Sequence, residues 1–272
     1  MPYLISASGV SLVRKYVSNW YTIVGIYLGL VSQTVACFRD GKKLPVSKQN
    51  YSEFREELFE QYLKDHGFTY REEGGRRLVT TNNGIKMYLP ADYSNVLDEI
   101  YLRGAYGKSK LEGRPVIDIG SSIGDTSLYF LTRGAYIVYG FEIDRERFLI
   151  SQDNIHLNKL DNSIHIYNEA ADSRNLSSLI EEKGLRNVYL KIDCEGCEYD
   201  LIENLTNKAF EAIDDIVMEY HNKSGQLLQK LTKLGYKTSR KKKILIPQGL
   251  IYASRRGSQG GKEGPSTKNN YR

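Results

Sequence analysis

The chain has 272 residues, of which 40% are hydrophobic and 26% charged, and this composition excludes a collagen-like or largely disordered protein. A chain of this length can form one large domain with a smaller attached region, because single cores stop growing at roughly 250 to 300 residues. The formal net charge is +5, and we interpret the basic run Arg240–Lys243 and the basic residues after it as solvated edges and tail.

The first part of the chain contains an uncharged segment over residues 16–38 that is rich in apolar and aromatic side chains. Polar residues interrupt it, so we expect a helix packed on the body of the protein, followed by a strand near Thr34–Arg39, rather than a membrane-spanning helix. Weak contact of residues 16–38 with a membrane surface stays open, since aromatic residues and Arg14 with Lys15 suit an interface.

Two observations favour a cytoplasmic location. The amino terminus lacks the basic, apolar and small-residue succession of a signal peptide. The three cysteines are an odd number without a disulfide framework, which favours a reducing environment. Cys194 and Cys197 form a C-x-x-C pair that could be redox-active or half of a zinc site. The four histidines show no matching ligand spacing, however, and we expect the two thiols to pack as small apolar groups.

Residues 1–110 are predicted to form a small α+β region that could cap the substrate. Apolar residues at helical spacing predict a helix over residues 51–66, which Gly67 would end. Residues 77–81 and 85–89 are predicted strands, joined through the hairpin-type turn Asn82–Gly84.

From Pro115 onward, buried strands alternate with helices. The predicted strands cover residues 115–119, 136–142, 163–169, 187–193 and 213–220. Such alternation predicts an α/β fold with a mainly parallel sheet and helices on both faces. Residues 236–246 and 249–254 are predicted to close the sheet edge as an antiparallel hairpin. We therefore predict one α/β domain over residues 111–255 and a disordered basic tail over residues 256–272.

The turn after the first of these strands suits a ligand that approaches the backbone closely, because glycines leave room there. It lacks the lysine of a phosphate-binding loop and differs from G-x-G-x-x-G, while its carboxylate favours a cationic or hydroxyl-rich ligand over pyrophosphate. A nucleoside cofactor derived from methionine fits. The residues that we assign to the cofactor at this turn are Asp118, Gly120, Ser121, Gly124, Asp125 and Thr126.

The next two strand ends extend the predicted cofactor site. Glu142, beside Ile143, can accept hydrogen bonds from both ribose hydroxyls. Ala171 leaves room for a purine, and Asp172 can accept from its amine. The alternative for any one of these acids is a helix cap.

The chain resembles the FkbM family of S-adenosylmethionine-dependent methyltransferases over residues 100–255. The first matching segment alone would indicate only a class I methyltransferase, whereas K-I-D-x-E-G-x-E is far more specific. The resemblance implies a seven-stranded Rossmann-like sheet, S-adenosylmethionine as the cofactor and, typically, methylation of a hydroxyl oxygen. Tyr106 lies in a similar segment before the first strand, where it could cover the cofactor or merely pack. The matching segments are Val116–Thr126, Gly140–Glu142, Asn154 with Asn158, Lys191–Glu198 and Glu219–His221.

Candidate catalytic residues follow the fourth and fifth strands. Asp193 is the first candidate to position or deprotonate the acceptor, and Glu195 is expected to face the same site, whereas Glu198 is interpreted as the start or cap of the next helix. Glu219 and His221 share one face of the fifth strand. Two assignments stay open: Asp193 as the base with His221 binding substrate, or His221 as the base oriented by an acid. A divalent cation held by Asp193, Glu195 and Glu219 is a further alternative.

The sequence therefore predicts a methyltransferase that acts on a hydroxyl of a small molecule or glycan, with no nucleic acid partner. The alternatives are a nitrogen or macromolecular acceptor, or a non-catalytic module that binds S-adenosylmethionine. An amino acceptor in nucleic acid is disfavoured, because Asp193–Gly196 occupies the place after the fourth strand where an N/D-P-P-Y/F motif would lie. Intact acids at four strand ends argue against the non-catalytic module.

Overall fold

The structure is a computed structural model that describes residues 7–90, 93–107, 109–222, 224–242 and 248–255. The predicted tail over residues 256–272 and Pro247 of the predicted hairpin turn lie outside the described residues. Among the described residues, no helix is long and apolar enough to cross a membrane.

The amino-terminal region contains helices, a two-stranded ribbon and a three-stranded antiparallel sheet. Its elements are α1 (Ala7–Tyr16), α2 (Trp20–Tyr27), β1 (Gln33–Cys37), β2 (Lys43–Ser47), α3 (Tyr51–Lys64), β3 (Thr69–Glu73), β4 (Arg76–Thr80), β5 (Lys86–Leu89), α4 (Ser94–Leu97) and a π-helical turn over Asp98–Leu102.

The remaining elements alternate as predicted. They are β6 (Pro115–Ile119), α5 (Asp125–Thr132), β7 (Ile137–Phe141), α6 (Arg145–Leu157), β8 (Ile164–Tyr167), α7 (Ser173–Glu182), β9 (Val188–Ile192), α8 (Glu198–Asn204), α9 (Asn207–Ala212), β10 (Ile213–Tyr220), α10 (Gly225–Lys233), β11 (Lys237–Lys242) and β12 (Gly249–Ser254).

Seven strands form the central sheet in the order β11-β12-β10-β9-β6-β7-β8. Five strands, β10, β9, β6, β7 and β8, run parallel to one another. β12 is antiparallel to both β10 and β11. The predicted α/β fold, a seven-stranded, mostly parallel Rossmann-like sheet with an antiparallel hairpin at one edge, is confirmed. The chain order reverses between β6 and β9, and ligands of open α/β sheets bind at such a switch point.

The central strands are buried because helices cover both faces of the sheet. All five residues of β6 and of β9 are buried, as expected of central strands in a parallel sheet. Side chains alternate between two cores: Ile117 belongs to the core under α7–α10, and Val116 belongs to the core on the opposite face. This packing brings the carboxyl ends of β6, β7, β9 and β10 to one edge.

The amino-terminal region is not separate from the sheet. Met87 and Val79 share a core with Val116, so the predicted boundary near residue 110 does not divide the packing. Asn154 of α6 and Asn158, which caps the end of that helix, bind the backbone of β5: the Tyr88 N–H donates to Asn154 Oδ1 at 2.7 Å, and the Lys86 N–H donates to Asn158 Oδ1 at 2.9 Å. A third core joins α1, α2, the β1–β2 ribbon and α3.

Candidate active site

The loop after β6 packs directly against the end of β9. Gly120 has a φ of +73°, and a Cβ built on it would lie 1.9 Å from the backbone oxygen of Asp193. Gly124 also has a positive φ, of +80°. Both positions therefore need glycine. At Gly120 the close neighbour is the backbone of the same chain, just after β9.

A buried ion pair supports this loop from below. Lys191 Nζ lies 3.0 Å from Asp118 Oδ1, and both side chains are almost fully buried. Lys191 also donates to the Gly120 carbonyl at 2.6 Å. The second Asp118 oxygen accepts from the hydroxyls of Thr126 and Ser127 at 2.6 and 2.7 Å. The cation expected beside Asp118 is thus supplied by the chain, and Asp118 and Thr126 hold the loop rather than face a ligand.

Asp125, at the start of α5, carries an unsatisfied buried oxygen. The residue is 2% exposed, and its Oδ1 has no hydrogen-bond partner in the described chain. Burial raises the pKa of Asp125 to about 7; Lys191 opposes this rise, and the charge of Asp118 adds to it. A ligand cation that reached this carboxylate would satisfy the oxygen and favour its charged form.

Glu142 connects the end of β7 to the glycine loop. One of its carboxylate oxygens accepts from the Ser122 N–H and the other from the Asp144 N–H, each at 2.8 Å. Each oxygen keeps a lone pair that could accept from a ribose hydroxyl. Ile143 is 71% exposed beside it, where an apolar side chain can cover a flat ring. The arrangement fits the predicted contact with a nucleoside.

Of the other predicted cofactor residues, Asp172 and Ala171 have structural partners, whereas the buried Ser121 hydroxyl has no hydrogen-bond partner among the described residues. Asp172 caps α7 by accepting from the Arg174 and Asn175 N–H groups, both at 2.8 Å, and these backbone bonds hold its pKa below the ordinary value. Ala171 packs against the core under α7–α10. The Ser121 side chain is buried against Gly140: a Cβ there would lie 3.1 Å from Ser121 Oγ. The contacts of Asp172 therefore match the alternative stated above, in which the acid caps a helix.

Asp193, Glu219 and His221 come together at the ends of β9 and β10. One ligand atom from each lies within 4.8 Å of the others, so these residues could hold a cation. His221 Nε2 lies 3.2 Å from Glu195 Oε2 and 3.8 Å from Glu219 Oε1. Glu195, the third acid of the predicted cation set, is 83% exposed, so it stands at the mouth of the cluster.

Tyr106 reaches this cluster from the segment before β6. It is 4% exposed, and its hydroxyl donates to Asp193 Oδ2 at 2.8 Å. Burial and the charge of Asp193 raise its pKa well above the ordinary value, so the hydroxyl stays protonated and acts as a donor. Tyr106 therefore orients the Asp193 carboxylate.

Glu198 binds His221 through a contact that the sequence interpretation missed. It does begin α8, but its carboxylate is fully buried: one oxygen accepts from the His221 N–H at 3.1 Å and lies 3.3 Å from His221 Nδ1. The other oxygen accepts from the Gly196 N–H at 2.8 Å. No local sequence pattern predicts this pairing, because 23 residues separate Glu198 from His221. The two residues meet because β10 packs beside α8.

Cys194 and Cys197 pack against the core under α7–α10, as predicted, but they form a disulfide rather than two free thiols. Glu195 and Gly196 between them have φ angles of +54° and +125°, which fold the segment into a tight turn. The turn brings the two Cα atoms to 5.5 Å, a usual separation for a disulfide. Cys37 is the free cysteine.

No protein family and no curated protein matches the chain by sequence, so the FkbM resemblance stays a prediction. Solved structures match its fold. SMU.776 in complex with S-adenosylhomocysteine shares 12% identity over 90% of this chain and 81% of that one, with a TM-score of 0.49. TrmK from M. capricolum, in complex with the same product, shares 13% identity over 57% and 68%, with a TM-score of 0.46.

A third similar structure is that of a protein proposed to act on tRNA. Sp1610 from Streptococcus pneumoniae, proposed to be a tRNA (m1A22) methyltransferase and solved with S-adenosylmethionine, shares 13% identity over 56% of this chain and 70% of that one, with a TM-score of 0.45. The expectation of no nucleic acid partner is contradicted by this similarity and is withdrawn.

Proposed function

We propose that the chain is an S-adenosylmethionine-dependent methyltransferase that transfers the methyl group to a hydroxyl oxygen. The observation that carries this proposal is the Glu198–His221 pair, which stands beside Asp193 at the carboxyl ends of β9 and β10. The glycine loop, which would bind the cofactor, touches the same strand end through Gly120. Groups suited to proton removal and to cofactor binding are therefore neighbours.

The residues around the glycine loop fit the cofactor. Glu142 would accept from the ribose hydroxyls, Ile143 would cover the base, and the orphaned Asp125 oxygen would accept from the ammonium group of the methionine part. When bound, the cofactor supplies an electrophilic methyl group on a sulfonium. Asp172 and Ala171 would border the purine from the end of β8.

His221 is the group best placed to take the proton of the acceptor. In the tautomer with Nδ1–H directed at the buried Glu198 carboxylate, His221 would present the lone pair of Nε2, which lies 3.2 Å from Glu195 Oε2 and 3.8 Å from Glu219 Oε1. Glu198 would stabilise the imidazolium that forms after proton transfer. Of the two assignments left open by the sequence, this geometry favours His221 as the base, with Asp193 positioning the acceptor hydroxyl.

The acceptor itself is to be found by experiment. The purified protein would be incubated with labelled cofactor and separate pools of metabolites, glycans, lipids and RNA. We expect label in a hydroxyl-bearing acceptor, as a base-stable ether. Label on a nitrogen would replace the hydroxyl assignment, and calorimetric cofactor binding without transfer to any pool would favour the non-catalytic module.

Two variants and a control test the roles once the acceptor is known. We expect His221→Asn and Glu198→Gln to lower kcat by about 100-fold or more and about 10- to 100-fold, respectively, because the first removes the base and the second its orienting partner. Glu203→Gln, on the same helix with a 70% exposed side chain, should leave kcat unchanged. Cofactor Kd should stay within about twofold in all three. Unchanged kcat in both test variants would refute the assignment.

A further inference from the structure

The end of α2 carries apolar side chains that the described chain leaves uncovered. Leu28 and Leu30 are 62% and 78% exposed, and Tyr21, which lies two turns before Leu28 on the same helix face, is 63% exposed. The helix buries Ile23 and Ile26 in the core that it shares with α1 and α3. We call Tyr21, Leu28 and Leu30 the α2 patch. Isolated exposed leucines need no explanation, but several exposed apolar side chains along one short helix and the turn after it do.

The segment around the α2 patch is rich in basic residues, of which Lys15 and Lys42 are paired with Asp65 and Glu57. Asp40 is the one acidic residue among residues 7–50, and the basic residues there are Arg14, Lys15, Arg39, Lys42, Lys43 and Lys48. A Cβ built on Gly29 would lie 3.6 Å from Lys48 Nζ, so this ammonium group is close to the backbone between Leu28 and Leu30. At the other end of α2, the Arg14 guanidinium lies 6.0 Å from the Trp20 ring.

We propose that the α2 patch docks on the surface of an anionic lipid bilayer. Leucine and tyrosine side chains lower their free energy by leaving water for the boundary between headgroups and acyl chains. The nearby basic residues are attracted to anionic headgroups. Either signal alone gives weak binding, whereas the two together give a stable contact. The eight-residue α2 is too short to span a bilayer, so it would lie on the surface.

Lipid explains the patch better than RNA does. Phosphates of RNA would attract Lys48 and Arg14, but exposed leucines gain nothing from a hydrated phosphate backbone. A charged membrane interface, unlike RNA, would contact both the apolar and the basic side chains of this surface. This inference does not depend on methyl transfer.

Vesicle sedimentation of the full chain tests the proposal. We expect binding to phosphatidylcholine vesicles that contain phosphatidylserine, and little binding to phosphatidylcholine alone. The double variant Leu28→Ser, Leu30→Ser should weaken binding by about tenfold or more, and Lys48→Gln by about fivefold. Leu149→Ser removes a leucine that is 49% exposed on α6, outside the patch, and should bind as the wild type does. Circular dichroism and thermal melts would confirm that every variant is folded.

Two outcomes would overturn the proposal. One is equal vesicle binding by the wild type and the folded double-leucine variant. The other is the absence of wild-type binding to anionic vesicles. RNA binding that then falls with Lys48→Gln but not with the leucine changes would assign the basic surface to nucleic acid.

Discussion

Replacing Asp125 by asparagine should stabilise the protein while weakening cofactor binding. The carboxyl group is 2% exposed and its pKa is raised from 3.8 to about 7, so ionising it in the folded state is unfavourable. In the unfolded chain the same group ionises near pH 3.8. Between these two pH values the folded state therefore holds more protons than the unfolded state, and stability falls as pH rises.

The raised pKa corresponds to about 4 kcal/mol at neutral pH, since a tenfold change in an ionisation constant is about 1.4 kcal/mol. This value is an upper limit for the variant, because asparagine also loses charge-assisted bonds from the Asp125 and Thr126 N–H groups. We expect Asp125→Asn to raise the free energy of unfolding by about 2 to 4 kcal/mol above pH 7 and by close to zero at pH 4.

Urea unfolding at a series of pH values measures this difference, and calorimetry measures cofactor binding. If the orphaned oxygen accepts from the cofactor's ammonium group, the variant should bind about 10- to 100-fold more weakly although it is more stable. A stability difference that is the same at pH 4 and pH 8 would refute the raised pKa. Unchanged cofactor affinity would refute the contact with the ammonium group.

Four further changes have defined outcomes. Glu142→Ala should raise the cofactor Kd by about 10- to 100-fold in calorimetry, because it removes a charged acceptor for ribose hydroxyls; a Kd within twofold of the wild type would reject that contact. Lys191→Met should lower the free energy of unfolding by about 3 to 5 kcal/mol in urea titrations, since it leaves the buried Asp118 carboxylate unpaired; a loss below about 1 kcal/mol would contradict the ion pair. Alkylation of the denatured, unreduced protein should modify Cys37 alone, and reduction should expose Cys194 and Cys197; three reactive thiols before reduction would exclude the bond. Chelation with EDTA should leave the methyl transfer rate unchanged if His221 acts as the base, whereas loss of activity that Mg²⁺ restores would assign the Asp193 cluster to a cation.

The elements that the sequence predicts best are strands buried on both faces, because each of them is a continuous run of apolar residues in the sequence. β6 and β10 occupy the predicted residues, because strands buried on both faces are runs of valine, isoleucine and similar side chains. β3 was not predicted. Four of its five residues, all but Tyr70, are exposed, so the strand shows no apolar alternation and depends on its pairing with β4.

The contacts missed by the sequence are those set by register between distant segments. Asp118 and Lys191 are direct partners across β6 and β9, so the lysine neutralises an acid that the sequence alone assigned to a ligand. The Glu198–His221 contact depends in the same way on α8 lying beside β10. Periodicity predicts that such strands and helices exist, but it does not state which residue stands opposite which.

The K-I-D-x-E-G-x-E segment is specific because consecutive residues meet different parts of the molecule. Since side chains alternate along β9, Lys191 supports the glycine loop while Ile192 enters the core under α7–α10. Asp193 then faces the candidate site, where Tyr106 fixes it. The turn at Gly196 carries the chain back so that Glu198 is buried against His221. A change at one of these positions therefore disturbs the loop, the core or the base separately, and the stability and kinetic measurements above can distinguish the three.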